Sequence, residues 1–344
     1  MLSSSLKRVF ETVLKITHLP TNKFALNGTL LGLVMFAPLL AGSTFKTFRI
    51  PTGNSQPRDI VLGADGNMWF TESELNVSQI GRIDSRGNIT EFVVPTQFSQ
   101  PSEIIAGPDG ALWFSEPSGF PFGIGRLTTD GAFTEYGLDL STCSPCSITP
   151  NGIAATPDGD IWFTDFNRNA IGRLHIDSPT QHTFTFYDIP TAAATPAGIT
   201  LGPDGALWFA EANANQIGRI DTAGTITEFG PATSPDRITL GPDGNLWFTE
   251  PFNDKIGRIT PAGAINEFAL PAFARPRDIV AGPDGNLWFT EYNAEQLARI
   301  TTSGAVTAVQ KVRGGPWGIG AGPDNTIWLT LFDGNKIARY KVGP

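Results

Sequence analysis

A tryptophan recurs along this chain at a spacing that few architectures accommodate. Trp69, Trp113, Trp162, Trp208, Trp247, Trp288 and Trp328 lie 44, 49, 46, 39, 41 and 40 residues apart. A period of about 40–45 residues, each copy too small to bury a core alone, is the mark of propeller blades. Every copy has four parts. Pro-x-x-Ile opens it, at Pro57, Pro101, Pro150, Pro196, Pro235, Pro276 and Pro316. A Gly-x-Asp-x turn and the tryptophan segment follow, and "GPDGNLWFTE" stands identically at 241–250 and 282–291. "IGR" or a variant ends at Arg82, Arg126, Arg173, Arg219, Arg258, Arg299 and Arg339, and a segment like "ITEFVVP" (89–95) closes the copy.

None of these parts is long enough for a helix, and Gly and Pro punctuate them, so each reads as a short strand. "GPDG" suits a tight turn and "TTSGA" a hairpin with a bulge. The sequence therefore predicts an all-β fold, a seven-bladed propeller of four-stranded antiparallel blades with strands a to d. The segment Leu-Trp-Phe-Thr is apolar on both faces, as a strand sandwiched between two blades should be. The chain ends on a c strand, "KIARYKV", while "TFKTFRIP" (44–51) has the d-strand pattern. The N-terminal strand should therefore close the last blade and remove the open edge.

Composition narrows the function classes. The 344 residues carry a net charge of −9, only 17% are charged, and 40% are apolar. Low charge with that apolar content argues against disorder. The acidic balance, with no run of lysines or arginines, argues against nucleic acid and against an anionic membrane surface. Residues 1–43 differ from the rest. Lys7, Arg8, Lys15 and Lys23 precede "LLGLVMFAPLLAGS", whose apolar centre from Leu30 to Ala41 is followed by small residues. That centre is about half the roughly 20 residues a membrane span needs. It predicts a secretory signal over 1–43, with an uncleaved anchor as the alternative, then a single propeller over 44–344. The expected location is secreted or periplasmic. No membrane contact is expected beyond the signal segment, and the chain is expected to be a monomer that meets a small molecule or a secreted or cell-surface partner. In that setting Cys143 and Cys146, in "CSPC", read as a local disulfide. No second CxxC completes a zinc set.

Repeated residues carry the fold, and exceptions to the repeat carry function. The acid three residues after Trp occurs in six copies, as Glu72, Glu116, Asp165, Glu211, Glu250 and Glu291. It reads as scaffold, bonded to a neighbouring arginine or backbone, or else as a carboxylate ring able to hold a cation. Variation concentrates on the face of the d–a and b–c connections. There the residues after the strand-a prolines line the channel mouth. Arg58, Asn151, Asp236, Arg237, Arg277 and Trp317 are the candidate ligand-binding residues: arginine forks and an aromatic shelf suit an anionic or planar ligand. Asp59, Glu103 and Asp278 are candidate ligands for Mg²⁺ or Ca²⁺, since hard cations take oxygen donors. Inter-blade ion pairing is the structural reading of the same charges.

Pro-x-x-Ile, GPDG, LWFTE and IGRI together, over 44–344, resemble the virginiamycin B lyase (streptogramin B lyase) family. The resemblance implies a Mg²⁺-assisted elimination that opens a cyclic depsipeptide at its ester, with a histidine as base. In the family a histidine directly follows the strand-a proline in the sixth and seventh blades; here these are Arg277 and Trp317. The family's two glutamates fall on Gly315 and Phe332, and an aromatic after the first-blade proline falls on Arg58. The only histidines, His18, His175 and His182, lie elsewhere. Two functions follow. One is a binding propeller without lyase chemistry. The other is a metal-dependent lyase or lactonase-type hydrolase that uses the carboxylates of the same face.

Overall fold

The structure, a computed structural model, describes residues 45–119, 123–137, 148–178 and 181–343. The signal segment over 1–43 and the Cys143–Cys146 pairing lie outside the described residues. Seven sheets of four antiparallel strands form a β-propeller. Blade 1 holds Pro57–Leu62, Met68–Glu72, Gln79–Ile83 and Ile89–Val93, as strands a to d. Blade 7 takes its d strand from the other end of the chain. Phe45–Arg49 pairs antiparallel with Lys336–Lys341, with Phe45 opposite Tyr340 and Arg49 opposite Lys336. The closure expected of "TFKTFRIP" is therefore present. Among the described residues no helix is long and apolar enough to cross a membrane.

The repeated tryptophan explains how the blades adhere. The core divides into seven clusters, one per junction, each joining the Trp of one blade to b-strand side chains of the next. Trp69 packs on Leu112 and Phe114, Trp247 on Leu287 and Phe289, and Trp328 on Met68 and Phe70 across the closing junction. All seven are at most 3% exposed. Burying one such indole removes roughly 200 Å² from water, or about 5 kcal/mol of transfer free energy. The b strands are buried on both faces throughout, as their unbroken apolar pattern requires.

A second set of contacts ties the blades at the channel. In six blades a b-strand hydroxyl accepts a backbone N–H of its own strand a and donates to a carbonyl of the next blade. Thr71 Oγ1 bonds the Ser102 carbonyl (3.0 Å), Ser115 Oγ that of Asn151 (2.8 Å) and Thr164 Oγ1 that of Ala197 (2.6 Å). Thr249 Oγ1 reaches Arg277 (3.3 Å), Thr290 Oγ1 reaches Trp317 (2.7 Å), and Thr330 Oγ1 closes the ring on Arg58 (2.8 Å). Blade 4 has Ala210 instead, and there the Gly198 N–H donates directly to the Asp236 carbonyl at 2.9 Å. Every residue whose carbonyl is held this way is the first after a strand-a proline. The sequence places these residues in strand a of every blade. In blades 2 and 5 the regular ladder begins later, at Ile104 and Ile238, while the other five carry a bulge just after the proline. Such a bulge re-aims the local side chains, here toward the channel.

Candidate functional site

Six of the seven tethered positions, all but Ala197, converge, and Arg237 joins them. Arg58, Ser102, Asn151, Asp236, Arg237, Arg277 and Trp317 line one cavity of about 140 Å³ at the channel mouth. All six candidate ligand-binding residues are thus in the same pocket. Beyond it a channel cavity of about 440 Å³ is walled by strand-a aliphatics such as Ile60, Ile104, Ile153 and Ile279, with Asp59, Glu103 and Asp278 among them. Gly318 makes the fit between blades 7 and 1 feasible. A Cβ there would lie 2.1 Å from the Arg58 carbonyl oxygen, so any larger residue would push Arg58 and Trp317 apart.

Trp317 organises one side of the pocket. The Arg277 guanidinium carbon is 3.7 Å from its ring centroid, and that of Arg58 is 5.9 Å away. Phe332 stacks on Trp317 at 4.9 Å, and Tyr292 meets it edge-on at 5.5 Å with its hydroxyl donating to Asp333 at 2.8 Å. Arg275 bridges Tyr292 and Phe252, 5.7 and 5.8 Å from their rings. Tyr292 and Arg275 escape a reading centred on the strand-a prolines, because they come from the b–c and d–a connections of blades 5 and 6. A signal existed for two of the aromatics. Tyr292 and Phe332 both stand directly after the last residue of the tryptophan strand, where blades 1, 2, 4 and 5 carry Ser, Pro, Ala and Pro; blade 3 has Phe166 there.

The charges do not cancel within the pocket. Arg237 is ion-paired with Glu103, and Arg277 lies 3.9 Å from Asp236. Arg58 has no carboxylate partner among the described residues, and its Nε–H is buried without an acceptor. Burial pushes the Arg277 guanidinium down to about 10; Asp236 opposes the shift, and Arg237, Arg275 and Arg58 add to it. Arg58 is also lowered, by burial and then by Arg237. Burial raises Asp236, with Arg277 pulling it back. Three guanidiniums thus line the pocket with one carboxylate, Asp236, while Glu103, Asp59 and Asp278 reach Arg237 from the channel side.

The three candidate metal ligands each hold a neighbouring blade. Asp59 accepts the N–H groups of Ile60 and Ile104 at 2.8 Å each. Asp278 accepts those of Ile279 (2.8 Å) and Ile319 (3.0 Å), and Glu103 that of Ile153 (3.1 Å). Burial raises Asp59, while Arg237 and the amides oppose it; burial and then the Asp59 charge push Asp278 up to about 7. Among the described residues no three His, Cys, Asp or Glu side chains gather in a metal-binding arrangement. His175 and His182 lie in the c and d strands of blade 3, with His175 Nδ1 2.5 Å from Asp160 Oδ1 of the a–b turn. That is the face opposite the mouth.

The repeated b-strand acids differ from the expected arginine partnership. The c-strand arginines pair with a–b turn aspartates on the far face, as Arg126 does with Asp109 at 2.7 Å and Arg299 with Asp284 at 2.9 Å. Glu72, Glu116, Glu211 and Glu250 are at most 1% exposed, and each faces a second glutamate from strand d: Glu91, Glu135, Glu228 and Glu267. Burial, then the neighbouring carboxylate, pushes all four up to about 8. Backbone partners exist too: Glu250 accepts the Thr233 N–H at 2.6 Å and Asp165 that of Thr149 at 3.0 Å.

Known proteins share this arrangement of blades. A streptogramin B lyase is 39% identical with a TM-score of 0.78, over 87% of this chain and 97% of that one. Virginiamycin B lyase from Staphylococcus aureus is 37% identical with a TM-score of 0.77, over 87% and 99%; a catalytically inactive variant of it has been solved with quinupristin. At 14% identity, the extracellular domain of a hybrid two-component system from B. thetaiotaomicron shares the fold alone, with a TM-score of 0.70 over 86% of this chain and 42% of that one. No curated protein matches. The virginiamycin B lyase family model matches residues 31–234 and 230–343. The chain belongs to the virginiamycin B lyase family.

Proposed function

We propose that this family member is an extracytoplasmic binding propeller that takes an anionic small molecule at the channel mouth and does not perform its family's elimination. The observation that carries this reading is the convergence of Arg58, Arg237 and Arg277 on one pocket with Trp317. Eliminating across an ester requires a group that can accept a proton near neutral pH. At the two histidine positions of the family stand Arg277 and Trp317. A guanidinium titrating at about 10 stays protonated at neutral pH, and an indole offers no acceptor. Phe332 and Gly315, at the glutamate positions, supply no side-chain oxygen. A divalent cation does not fit this lining: three guanidiniums face it, and Asp59, Glu103 and Asp278 hold backbone amides. The secretory-type segment over 1–43 supports the location.

One observation favours the enzymatic alternative. Asp278, pushed up to about 7, is a carboxyl that could exchange a proton at neutral pH. It faces the channel cavity rather than the arginine pocket. Two measurements decide between the readings. Calorimetric titration with hexanoate should show saturable binding that weakens with salt and is lost in Arg58→Ala and Arg277→Ala. Quinupristin incubated with the protein and Mg²⁺ should remain cyclic by mass spectrometry. Linearisation abolished by Asp278→Asn would establish the enzyme instead, and no saturable hexanoate binding would remove the binding reading.

A further inference from the structure

The exposed large apolar side chains are not spread evenly. Five of the six among the described residues, Leu75, Phe98, Phe166, Phe252 and Phe273, lie on b–c or d–a connections, hence on the mouth face; the sixth, Val93, ends strand d of blade 1. Phe252 and Phe273 are 73% and 78% exposed. Phe273 also has φ of 67° and Arg275 of 50°. The same left-handed pair recurs at Asn54 and Gln56, Phe98 and Gln100, and Ala193 and Thr195, so the backbone belongs to the repeat; what sets this copy apart is a side chain 78% exposed. The loop is held in this state by Asp254, whose carboxylate accepts the N–H of Phe273 (2.8 Å) and of Arg275 (2.7 Å). Packing does not account for a phenylalanine here.

These residues continue the mouth. Trp317 contacts Tyr292 at 5.5 Å, Arg275 lies 5.7 Å from Tyr292, and Phe252 lies 5.8 Å from Arg275. The Arg275 Nε–H, like that of Arg58, is buried without an acceptor. The result is a line of contacts, Arg277–Trp317–Tyr292–Arg275–Phe252, that runs from the arginine pocket to the exposed Phe252, with Phe273 on the adjoining loop that Asp254 ties to the same b–c connection. The pocket itself sets the charge of what enters it. Arg237 and Arg277 have Glu103 and Asp236 as ion-pair partners, and Arg237 also faces the Asp59 and Asp278 carboxyls; among the described residues Arg58 is the guanidinium of the pocket without an ion pair, a place for a negative charge. A planar carboxylate matches a guanidinium fork and fits 140 Å³.

We propose that the ligand is an elongated aromatic carboxylate: its carboxylate in the arginine pocket at Arg58, its aryl ring on the rim at Phe252 and Phe273. This rests on the binding reading above. The ring stacks on exposed aromatic faces and on the Arg275 edge, and the linker follows the line of contacts. A free aryl acid and the C-terminus of an aromatic peptide present the same chemistry.

The test uses the full chain and calorimetry with 6-phenylhexanoate, hexanoate and 6-phenylhexanamide. Stacking and cation–π contacts of this kind predict that 6-phenylhexanoate binds at least about fivefold tighter than hexanoate. The amide should bind about tenfold or more weakly for want of the charge-assisted bonds. Phe252→Ala combined with Phe273→Ala should erase the advantage of the ring and leave hexanoate binding unchanged, a split that misfolding would not produce. A peptide ending in Phe-Gly-Gly, compared with its C-terminal amide, distinguishes a peptide source from a free acid. Equal affinities for 6-phenylhexanoate and hexanoate would overturn the rim subsite while leaving the mouth in place. A ring advantage that survives both phenylalanine substitutions would overturn it as well. Loss of all carboxylate binding would instead bring down the reading on which it rests.

Discussion

A glutamate repeated blade after blade invites a catalytic or metal-binding explanation, and its surroundings supply a different one. Glu72, Glu116, Glu211 and Glu250 are buried beside a second carboxyl and titrate at about 8, so at neutral pH they are largely neutral acids within the sheet. A carboxyl whose pKa is raised on folding holds a proton that the unfolded chain releases. The folded state is therefore favoured fully below the ordinary carboxylate range near 4.5, and that advantage fades as pH climbs to about 8. Asp278, at about 7, and His175, raised by the Asp160 carboxylate, push the same way. Thermal melts should accordingly show Tm highest near pH 5 and falling toward pH 9. Glu→Gln at the four positions together should flatten that slope while keeping the fold; an unchanged slope would show that these carboxyls ionise normally.

Strands matter here through where they fasten one another. The b-strand hydroxyls hold the backbone carbonyls of Arg58, Ser102, Asn151, Arg277 and Trp317 at the mouth, so each of these is fixed by the blade before it. Thr290→Val removes the donor to the Trp317 carbonyl and the acceptor for the Asp278 N–H. Thr164→Val removes the same pair of bonds at Ala197 and Gly152, on a stretch of ring without arginines. Each should cost about 1–3 kcal/mol of stability, the usual penalty for orphaning buried backbone groups. Denaturant titration measures that cost, and hexanoate binding separates the two: only Thr290→Val should weaken it, because only that bond seats Trp317. Equal weakening by both would mean that the ring stiffens the molecule without placing the site.

Closure of the whole ring depends on few groups. The Asn335 side chain accepts the Ser55 N–H (2.7 Å) and hydroxyl (2.9 Å) and donates to the Thr52 carbonyl (2.8 Å), clasping the N-terminal segment to the last b–c turn. Asn335→Ala should destabilise by roughly 2–3 kcal/mol and raise amide exchange at Phe45–Arg49 before other strands; uniform exchange would place the weak point elsewhere. Much of this architecture is legible in the sequence. Tryptophans that must meet the next blade recur at one period, and the prolines mark where the mouth residues start. What is hidden has a common cause. Phe252, Phe273, Arg275 and Tyr292 sit on connections whose aim depends on loop conformation. The partner of Glu72 is Glu91, two strands away, which spacing alone does not pair. The "ITEF" glutamate recurs in four blades and was the available clue. Because Phe45 and Tyr340 lie side by side, blade 7 lacks only a covalent c–d turn. A short hairpin like the one around Gly263 could supply it, so the protein is a natural template for circular permutation, with new termini cut into any of the far-face turns and the arginine mouth left untouched.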